Sequence, residues 1–371
     1  MQAFLPMNII RYRSFREFSD HQLAWESLSE ANPMASPQWV IPWWETYGQS
    51  EDRELYWLAG LVGDELVGVA PLYVDNVNSS KRLRFLGDGK VCSDHMSLLS
   101  TPDHSSLFAV NVCDWLREEV GNSWNSAHFE CVPAEDKNTI ALSDLLHNAG
   151  FAIYQRPNCS SWQVELPGTW DEYLSRLSKN QRKRCRRWCR QWIDSGKLTR
   201  KSVTSQDDLD EAFENLCRLH NARRRFVGQT GAFEDQQFFE FHKQATRELL
   251  ESDQLRIDFL MEGSRPITCE YLFTSNSAVF SYQSGYDPEY STIGAGNISL
   301  TLAIRSAIED GYRTFDFLRG SEKYKQSWKA DETKTIDVHV NQKNFGGTIE
   351  QAKLGTKDLL RSVRDFVKGS S

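Results

Sequence analysis

The chain has 371 residues, 40% of them hydrophobic and 25% charged, which suits two globular domains and excludes a disordered protein. A formal net charge of −8 argues against general nucleic-acid affinity, because phosphate binding needs a basic surface. We expect no membrane span, since no apolar run approaches roughly 18 residues, and no signal peptide, since the first residues lack an uninterrupted apolar segment followed by a small-residue cleavage site. The eight cysteines are scattered along the chain, which is typical of reduced thiols, so we expect a cytoplasmic protein.

The first half alternates strands and helices. Two apolar runs around Gly63-Asp64 predict a hairpin. Further strands are predicted at 82–90, 127–133 and 160–167, and helices at 106–121 and 139–150. The dipeptide Asp94-His95 suggests acid–base chemistry or a surface loop. We interpret this half as a non-catalytic partner that shapes an acceptor cleft.

Turn residues at Pro167-Gly168 predict a boundary between a domain of residues 1–167 and a domain of residues 168–371. The second half repeats the alternation of elements. Its predicted elements are helices at about 170–194, 206–222 and 234–250, paired strands within 254–287, a helix at 297–310, strands at 313–320 and 335–341, and a closing helix at 348–367. This order predicts a mixed α/β (α+β) fold in two domains.

Two glycines, Gly294 and Gly296, stand directly before the predicted helix 297–310. Asn297 is a predicted N-cap, and Gly311 is predicted to follow the helix end. Free N–H groups at a helix start, approached closely because glycine has no side chain, form a site for a diphosphate. A core helix with a tight entry is the alternative.

A basic helix is predicted around residues 179–190. Its cations are Lys179, Arg182, Lys183, Arg184, Arg186, Arg187 and Arg190. Three interpretations stay open: a solvated face, a nucleic-acid-binding helix, and an anion site at the domain junction. In the interpretation as an anion site, Arg182 and Arg186 lie one helical turn apart and bind an anionic acceptor together. Cys185 and Cys189 have no nearby His or second cysteine pair, so no metal site is predicted.

The stretch 284–330 resembles the GNAT acyltransferase superfamily, and more narrowly the CelD/BcsL-type acetyltransferases, named after a cellulose-biosynthesis context. The residues that carry the resemblance are Ser284-Gly285-Tyr286-Asp287-Pro288, Gly296, Ala303-Ile304, Ala307, Gly311, Phe315 to Gly320, Tyr324-Lys325 and Trp328. The resemblance extends upstream through 159–188 and, more loosely, into the first half.

The resemblance implies two tandem GNAT-like domains, each a mixed sheet flanked by helices, as in the related Fem-type aminoacyltransferases. It also implies acetyl-CoA or another acyl-CoA as co-substrate. The implied cofactor-binding residues are Ser284, Gly294, Ala295, Gly296 and Asn297. Ser291 departs from the family, which has Gln or Arg at the start of this loop. Backbone N–H groups near Tyr282 to Gly285 are the implied donors to the oxyanion.

Acyl transfer also needs groups that move protons. The two candidates for the base are Glu270, which lies in an apolar strand, and Asp287. The alternative for Glu270 is an outward position on its strand, and the alternative for Asp287 is a turn. Asp316 faces the acceptor or pairs with a nearby cation, and Tyr324 is the candidate general acid.

The remaining predicted substrate-binding residues follow the helix 297–310. Besides Arg182 and Arg186 they are Arg319, Lys325 and Trp328. Packing of an amphipathic segment is the alternative for Lys325 and Trp328.

Together these features predict an acyl-CoA-dependent N- or O-acyltransferase, in particular an acetyltransferase. The expected acceptor is a small molecule or glycan, such as a sugar, a polysaccharide precursor or a related metabolite. No metal and no nucleic-acid partner are expected. The alternatives are a Fem-like aminoacyltransferase that uses aminoacyl-tRNA, and a non-catalytic module that binds anions or nucleic acid.

Overall fold

The computed structural model of the protein describes residues 6–77, 80–320 and 324–343, so the predicted helix at 348–367 lies outside the described residues. The strands are β1 (Met7–Tyr12), β2 (Arg53–Val62), β3 (Glu65–Val77), β4 (Ser80–Phe85), β5 (Leu99–Ser100), β6 (Ser126–Pro133), β7 (Ala152–Glu165), β8 (Thr199–Ser202), β9 (Leu255–Glu262), β10 (Arg265–Thr274), β11 (Ala278–Tyr286), β12 (Thr314–Arg319) and β13 (Asp331–Asn341). The helices are α1 (Gln22–Ser29), α2 (Pro37–Trp43), α3 (Ser105–Glu119), α4 (Lys137–Asn148), α5 (Trp170–Arg176), α6 (Lys179–Trp188), α7 (Gln206–Phe226), α8 (Gln236–Glu251), α9 (Ala295–Glu309) and α10 (Tyr324–Ser327).

One continuous mixed sheet runs through the molecule in the order β1-β2-β3-β4-β6-β13-β7-β12-β11-β10-β9-β8, with β5 paired to β3 at the side. Each half contributes one parallel pair, β4 with β6 and β11 with β12. This arrangement confirms the predicted mixed α/β architecture. Strand β13 lies between β6 and β7, so hydrogen bonds cross the boundary predicted at residue 167. The boundary itself stays a prediction.

Apolar packing also connects the halves. Helices α3 and α4 cover the first-half strands, and α5, α6 and α9 cover one face of the second-half strands. On the other face, α1 and α2 share a single core with α7 and α8. The ring of Trp39 lies edge-on to Phe241, with their centroids 4.8 Å apart. The second-half strands are therefore covered by helices on both faces.

Two local predictions were wrong. The helix predicted at 170–194 is two helices, because Leu177 is extended and Ser178 caps α6 by accepting a hydrogen bond from the Gln181 N–H. The N-cap of α9 is Gly294 and not Asn297, since Gly294 has a left-handed φ of 80° that turns the chain into the helix. The predicted end is confirmed, with Gly311 at φ 86°.

Candidate active site

The candidate site lies where two parallel strands separate. Strands β11 and β12 pair only between Ala278–Phe280 and Thr314–Asp316 and then diverge. Beyond Phe280, this edge of β11 has no strand partner within the described residues. A cavity of about 330 Å³ opens in the gap. An unpaired strand edge offers backbone N–H groups to a ligand.

The cavity brings together half of the residues predicted to form the site. The predicted residues that line it are Glu270, Ser284, Gly294, Ala295, Gly296, Asn297 and Tyr324. A larger depression of about 530 Å³ lies elsewhere, among Glu26, Asp253 and Asp310. We place the site in the smaller cavity, because there a glycine-opened helix start faces a buried carboxyl group.

The start of α9 forms one wall of the cavity. Gly294 caps the helix without a side-chain hydrogen bond, and the first N–H groups of a helix have no acceptor within it. A Cβ atom at Gly296 would lie 3.3 Å from Cδ1 of Tyr286, so a side chain here would contact that ring and narrow the cavity. The positive end of the helix dipole and these N–H groups favour an anion.

Helix α7 forms the opposite wall. It crosses β11 so closely that a Cβ atom at Gly285 would lie 2.3 Å from the backbone nitrogen of His220. One turn further along, the Arg223 guanidinium donates to the Ser284 hydroxyl over 3.2 Å and to the Ser284 carbonyl over 3.3 Å. Arg223 was missed by sequence reasoning, since it stands in a run of three arginines of which only this one lines the cavity.

Glu270 is the buried carboxyl group of the site. It stands opposite Ser284 in the β10–β11 ladder, and only 4% of its surface is exposed. Burial raises the pKa of Glu270 to about 8, against the lowering effects of the Ser299 hydroxyl and the Arg223 guanidinium. The Ser299 hydroxyl in turn accepts a hydrogen bond from Thr268 over 3.0 Å. The cavity therefore holds a carboxyl group that exchanges its proton close to neutral pH.

Tyr324 stands at the cavity mouth, on the first turn of α10. It is 46% exposed, and its ring meets Phe317 edge-on with the centroids 6.5 Å apart. Tyr324 therefore borders the cavity on its solvent-exposed side.

The two other predicted carboxylates lie outside this cavity. Asp287 accepts a hydrogen bond from the Glu289 N–H and pairs with Arg265 over 2.5 Å, so it stabilises a turn. Asp316 lines a separate cavity of about 430 Å³, where its Oδ2 lies 2.9 Å from Nε2 of His95. The two cavities share no lining residue.

The three predicted substrate-binding residues after β12 all have contacts within the protein, and their binding role stays a prediction. Arg319 pairs with Asp94 and donates to the Ser93 carbonyl over 2.8 Å, so its charge is used between the halves. Lys325 is 2% exposed and donates to the carbonyls of Leu318 and Arg319. Trp328 is fully buried in the core beneath α9.

Arg182 and Arg186 lie on the surface of α6, outside the cavity lining. The buried face of this helix is near the loop, since a Cβ atom at Gly294 would lie 3.8 Å from Nε1 of Trp188. None of the seven cations of residues 179–190 has a hydrogen bond or ion pair with a described side chain. Helix α6 therefore adjoins the start of α9 through its buried face, and its cations lie on the remaining surface.

One group within the described residues has the donor atoms for a metal ion. It comprises His128, Asp337 and His339, far along the sheet from the cavity. Asp337 already accepts from Arg156 over 2.8 and 2.9 Å, and the two imidazoles stack with their centroids 4.1 Å apart. The arginine neutralises the carboxylate, so we interpret this group as a buried ion pair beside stacked rings.

Residues 179–326 match the model of the acetyltransferase (GNAT) domain family. Every residue that lines the 330 Å³ cavity falls within this segment. The chain thus carries a GNAT-type acyltransferase domain, and the cavity is part of it. No curated protein matches the sequence significantly. The part of the chain that the structure describes has no helix of sufficient length and apolarity to cross a membrane.

Solved structures share the fold over most of the chain. FemX has a TM-score of 0.62 at 10% identity, over 85% of this chain and 95% of its own. A conserved protein of unknown function from Bacteroides thetaiotaomicron has a TM-score of 0.54 at 10% identity, over 90% of this chain and 100% of its own. L-PGS from Bacillus licheniformis has a TM-score of 0.51 at 12% identity, over 87% of this chain and 92% of its own.

Proposed function

We propose that this GNAT domain transfers an acyl group, in particular acetyl, from acyl-CoA to an amine or hydroxyl of a small acceptor. The single observation that carries the proposal is the glycine-opened start of α9 facing the buried Glu270 across one cavity. The first feature suits the diphosphate of the donor, and the second suits removal of a proton from the acceptor.

The donor is held in this proposal by backbone groups. The N–H groups of Ala295 and Gly296 bind the diphosphate, and the dipole of α9 adds about 0.3–1 kcal/mol. Ser291 lines the cavity in place of the expected Gln or Arg, so the loop itself supplies no charge. Arg223 also lines the cavity, and it is the cation best placed to supply the charge that the loop lacks.

The reaction follows from the groups around the cavity. Glu270 takes the proton of the attacking amine or hydroxyl, and N–H groups along the unpaired edge of β11 stabilise the oxyanion. Carbon–sulfur cleavage then releases a thiolate, to which Tyr324 at the mouth gives a proton. The resemblance to CelD/BcsL-type enzymes supports a sugar or polysaccharide precursor as the acceptor.

A thermal-shift series with acetyl-CoA, free CoA and desulfo-CoA tests the proposed donor. A ligand at 100 times its dissociation constant should stabilise the folded protein by about 2.7 kcal/mol. No shift with any of the three at millimolar concentration contradicts the proposal.

Gly296→Val is expected to weaken CoA binding at least tenfold with little loss of stability. A Cβ atom at residue 296 already reaches 3.3 Å from the Tyr286 ring, and the two extra methyl groups occupy the space of the diphosphate. Calorimetric titration with CoA measures the effect.

Gly168→Val is the matched control, because a Cβ atom there meets nothing within 4 Å and the residue is remote from the cavity lining. Equal CoA affinity in the two folded variants means that the diphosphate binds elsewhere.

A second candidate function is favoured by the basic helix alone. Seven cations without a described ion pair suit a polyanionic donor, so the alternative is a Fem-like aminoacyltransferase that uses aminoacyl-tRNA. The formal net charge of −8 argues against the tRNA-dependent function, because an acidic protein offers nucleic acid only this one basic surface.

Replacing Arg182 and Arg186 by Gln separates the two functions. With a small anionic acceptor, we expect a higher acceptor KM and unchanged CoA affinity, because the two cations only position the acceptor. With tRNA, we expect weaker binding and a salt dependence whose log–log slope falls by about two. Filter binding of tRNA and steady-state kinetics measure the two effects.

The control replaces Arg13 and Arg117 by Gln, two exposed arginines of the first half. It removes the same charge from a distant surface. Identical behaviour of the two double variants shows that only net charge matters, and rejects both roles for the basic helix.

A further inference from the structure

A pair of cysteines outside the candidate site lies in direct contact. The Sγ atoms of Cys131 and Cys159 are 3.4 Å apart. Cys131 is buried in β6, whereas Cys159 in β7 is partly exposed. The two residues are 28 positions apart in the sequence, so their contact is a product of the sheet and not of a local motif.

Two β-bulges create this contact. Strand β13 lies between β6 and β7, and second-neighbour strands in a regular sheet are about 9.6 Å apart. Cys131 stands where the register of β6 with β13 shifts, and Cys159 stands where the register of β7 with β13 shifts. A bulge bends its strand and re-aims its side chains. The left-handed φ of 52° at Cys131 is part of the first bulge.

The surroundings favour one thiolate and one thiol. The Cys131 thiol, as hydrogen-bond donor, lowers the pKa of Cys159, and the Arg319 guanidinium lowers it further. The same hydrogen bond, together with burial, raises the pKa of Cys131. The more accessible sulfur is therefore the more nucleophilic one, which is the arrangement of an oxidisable dithiol.

We propose that Cys131 and Cys159 form a modification site that a hydroperoxide converts reversibly into an intramolecular disulfide. The Cys159 thiolate attacks a peroxide oxygen, the O–O bond breaks, and a sulfenic acid and hydroxide result. The Cys131 sulfur then attacks Cys159, the S–O bond breaks, and the S–S bond forms. In sum, two thiols lose two electrons and two protons, and hydrogen peroxide becomes two water molecules.

The bond requires only a short movement. The sulfur atoms approach by about 1.4 Å to reach the covalent S–S length of about 2.05 Å. Bulged residues lack part of the regular ladder, so they adjust with less loss of hydrogen bonding than paired residues. A thiol reductant reverses the reaction by thiol–disulfide exchange.

Treatment of the full chain with hydrogen peroxide, followed by alkylation and intact mass spectrometry, tests the proposal. We expect the oxidised chain to carry two fewer alkyl groups than the reduced chain, a difference that dithiothreitol before alkylation removes, and a cross-linked peptide that joins Cys131 to Cys159. Cys131→Ser should stop the reaction at a Cys159 sulfenic acid that dimedone traps. Cys159→Ser should abolish both products.

Cys92→Ser is the matched control, since Cys92 is the other partly exposed cysteine within the described residues. It should leave the 131–159 cross-link unchanged. Oxidation of the folded wild type without that cross-link, or with Cys92 in its place, overturns the proposal. Circular dichroism of each variant confirms that the folded protein was oxidised.

Discussion

Replacing Glu270 by Gln is expected to lower kcat by about 10²–10⁴-fold and to leave the dissociation constant of CoA nearly unchanged. Gln keeps the size of the side chain and its contact with Ser299, but it cannot accept the proton of the acceptor. The dissociation constant is insensitive because the proposed diphosphate contacts come from the start of α9 and not from β10. Steady-state kinetics and calorimetric titration measure the two quantities.

The pH profile makes this prediction specific. Since burial raises the pKa of Glu270 to about 8, the fraction of basic carboxylate grows as the pH rises through that value, and the wild-type rate should rise with it. The rising limb should disappear in Glu270→Gln. Asp287→Asn is the control, because Asp287 caps a turn outside the cavity. This variant should show the same increase of rate with pH as the wild type.

Near-wild-type rates for Glu270→Gln across the pH range mean that positioning and backbone donors suffice for the reaction. Tyr324→Phe supplies an independent comparison. Its effect should shrink with an activated acyl donor whose leaving group needs no proton.

The same carboxyl group links stability to pH. In the unfolded chain it loses its proton near pH 4.5, and in the folded protein near pH 8, so between these values the folded state binds more protons. Stability from this group therefore falls as pH rises across that window, by about 1.4 kcal/mol per unit at most. Glu270→Gln should melt above the wild type, and the difference should be larger at pH 8 than at pH 5.

The sequence was most informative where a local pattern decides the structure. Gly294 and Gly296 before an apolar helical stripe predict a tight entry into a helix, and that entry does open on the cavity. The orientation of Glu270 was harder to predict. Side chains alternate between the two faces of a strand, and the sequence does not say which face lines a site until the neighbouring strands are known. The β10–β11 register resolves this, since Glu270 stands opposite Ser284 and both line the cavity.

The remaining assignments depended on contacts that no local pattern contains. The prediction that Arg319 and Trp328 bind substrate rests on their position after the helix 297–310 in a basic-aromatic segment. The partner of Arg319 is 225 residues away, and Trp328 fills a core beneath α9. Likewise, Asp94 and His95 each bind the second half, Asp94 through Arg319 and His95 through Asp316. Polar residues in a loop carry no local sign of such a distant partner.

Replacing Asp94 by Ala is expected to lower the free energy of unfolding by about 3–5 kcal/mol, because it leaves a largely buried charge without its partner. Asp94 accepts from the side chain of Arg319 and, over 2.7 Å, from its backbone N–H. The side chains of Arg319 and Asp94 are only 23% and 5% exposed, so water replaces these bonds poorly. Urea unfolding measures the loss.

Two further variants decide whether Arg319 acts in stability or in substrate binding. Arg319→Met in the Asp94→Ala background removes the unpaired charge and should recover part of the loss, whereas Asp103→Ala, at an exposed position, should cost less than about 0.5 kcal/mol. If Asp94→Ala instead unfolds like the wild type and raises only the acceptor KM, Arg319 contacts the acceptor after all. The pairing would then be a resting state that substrate displaces, and the second cavity beside His95 would become the place to look for the acceptor.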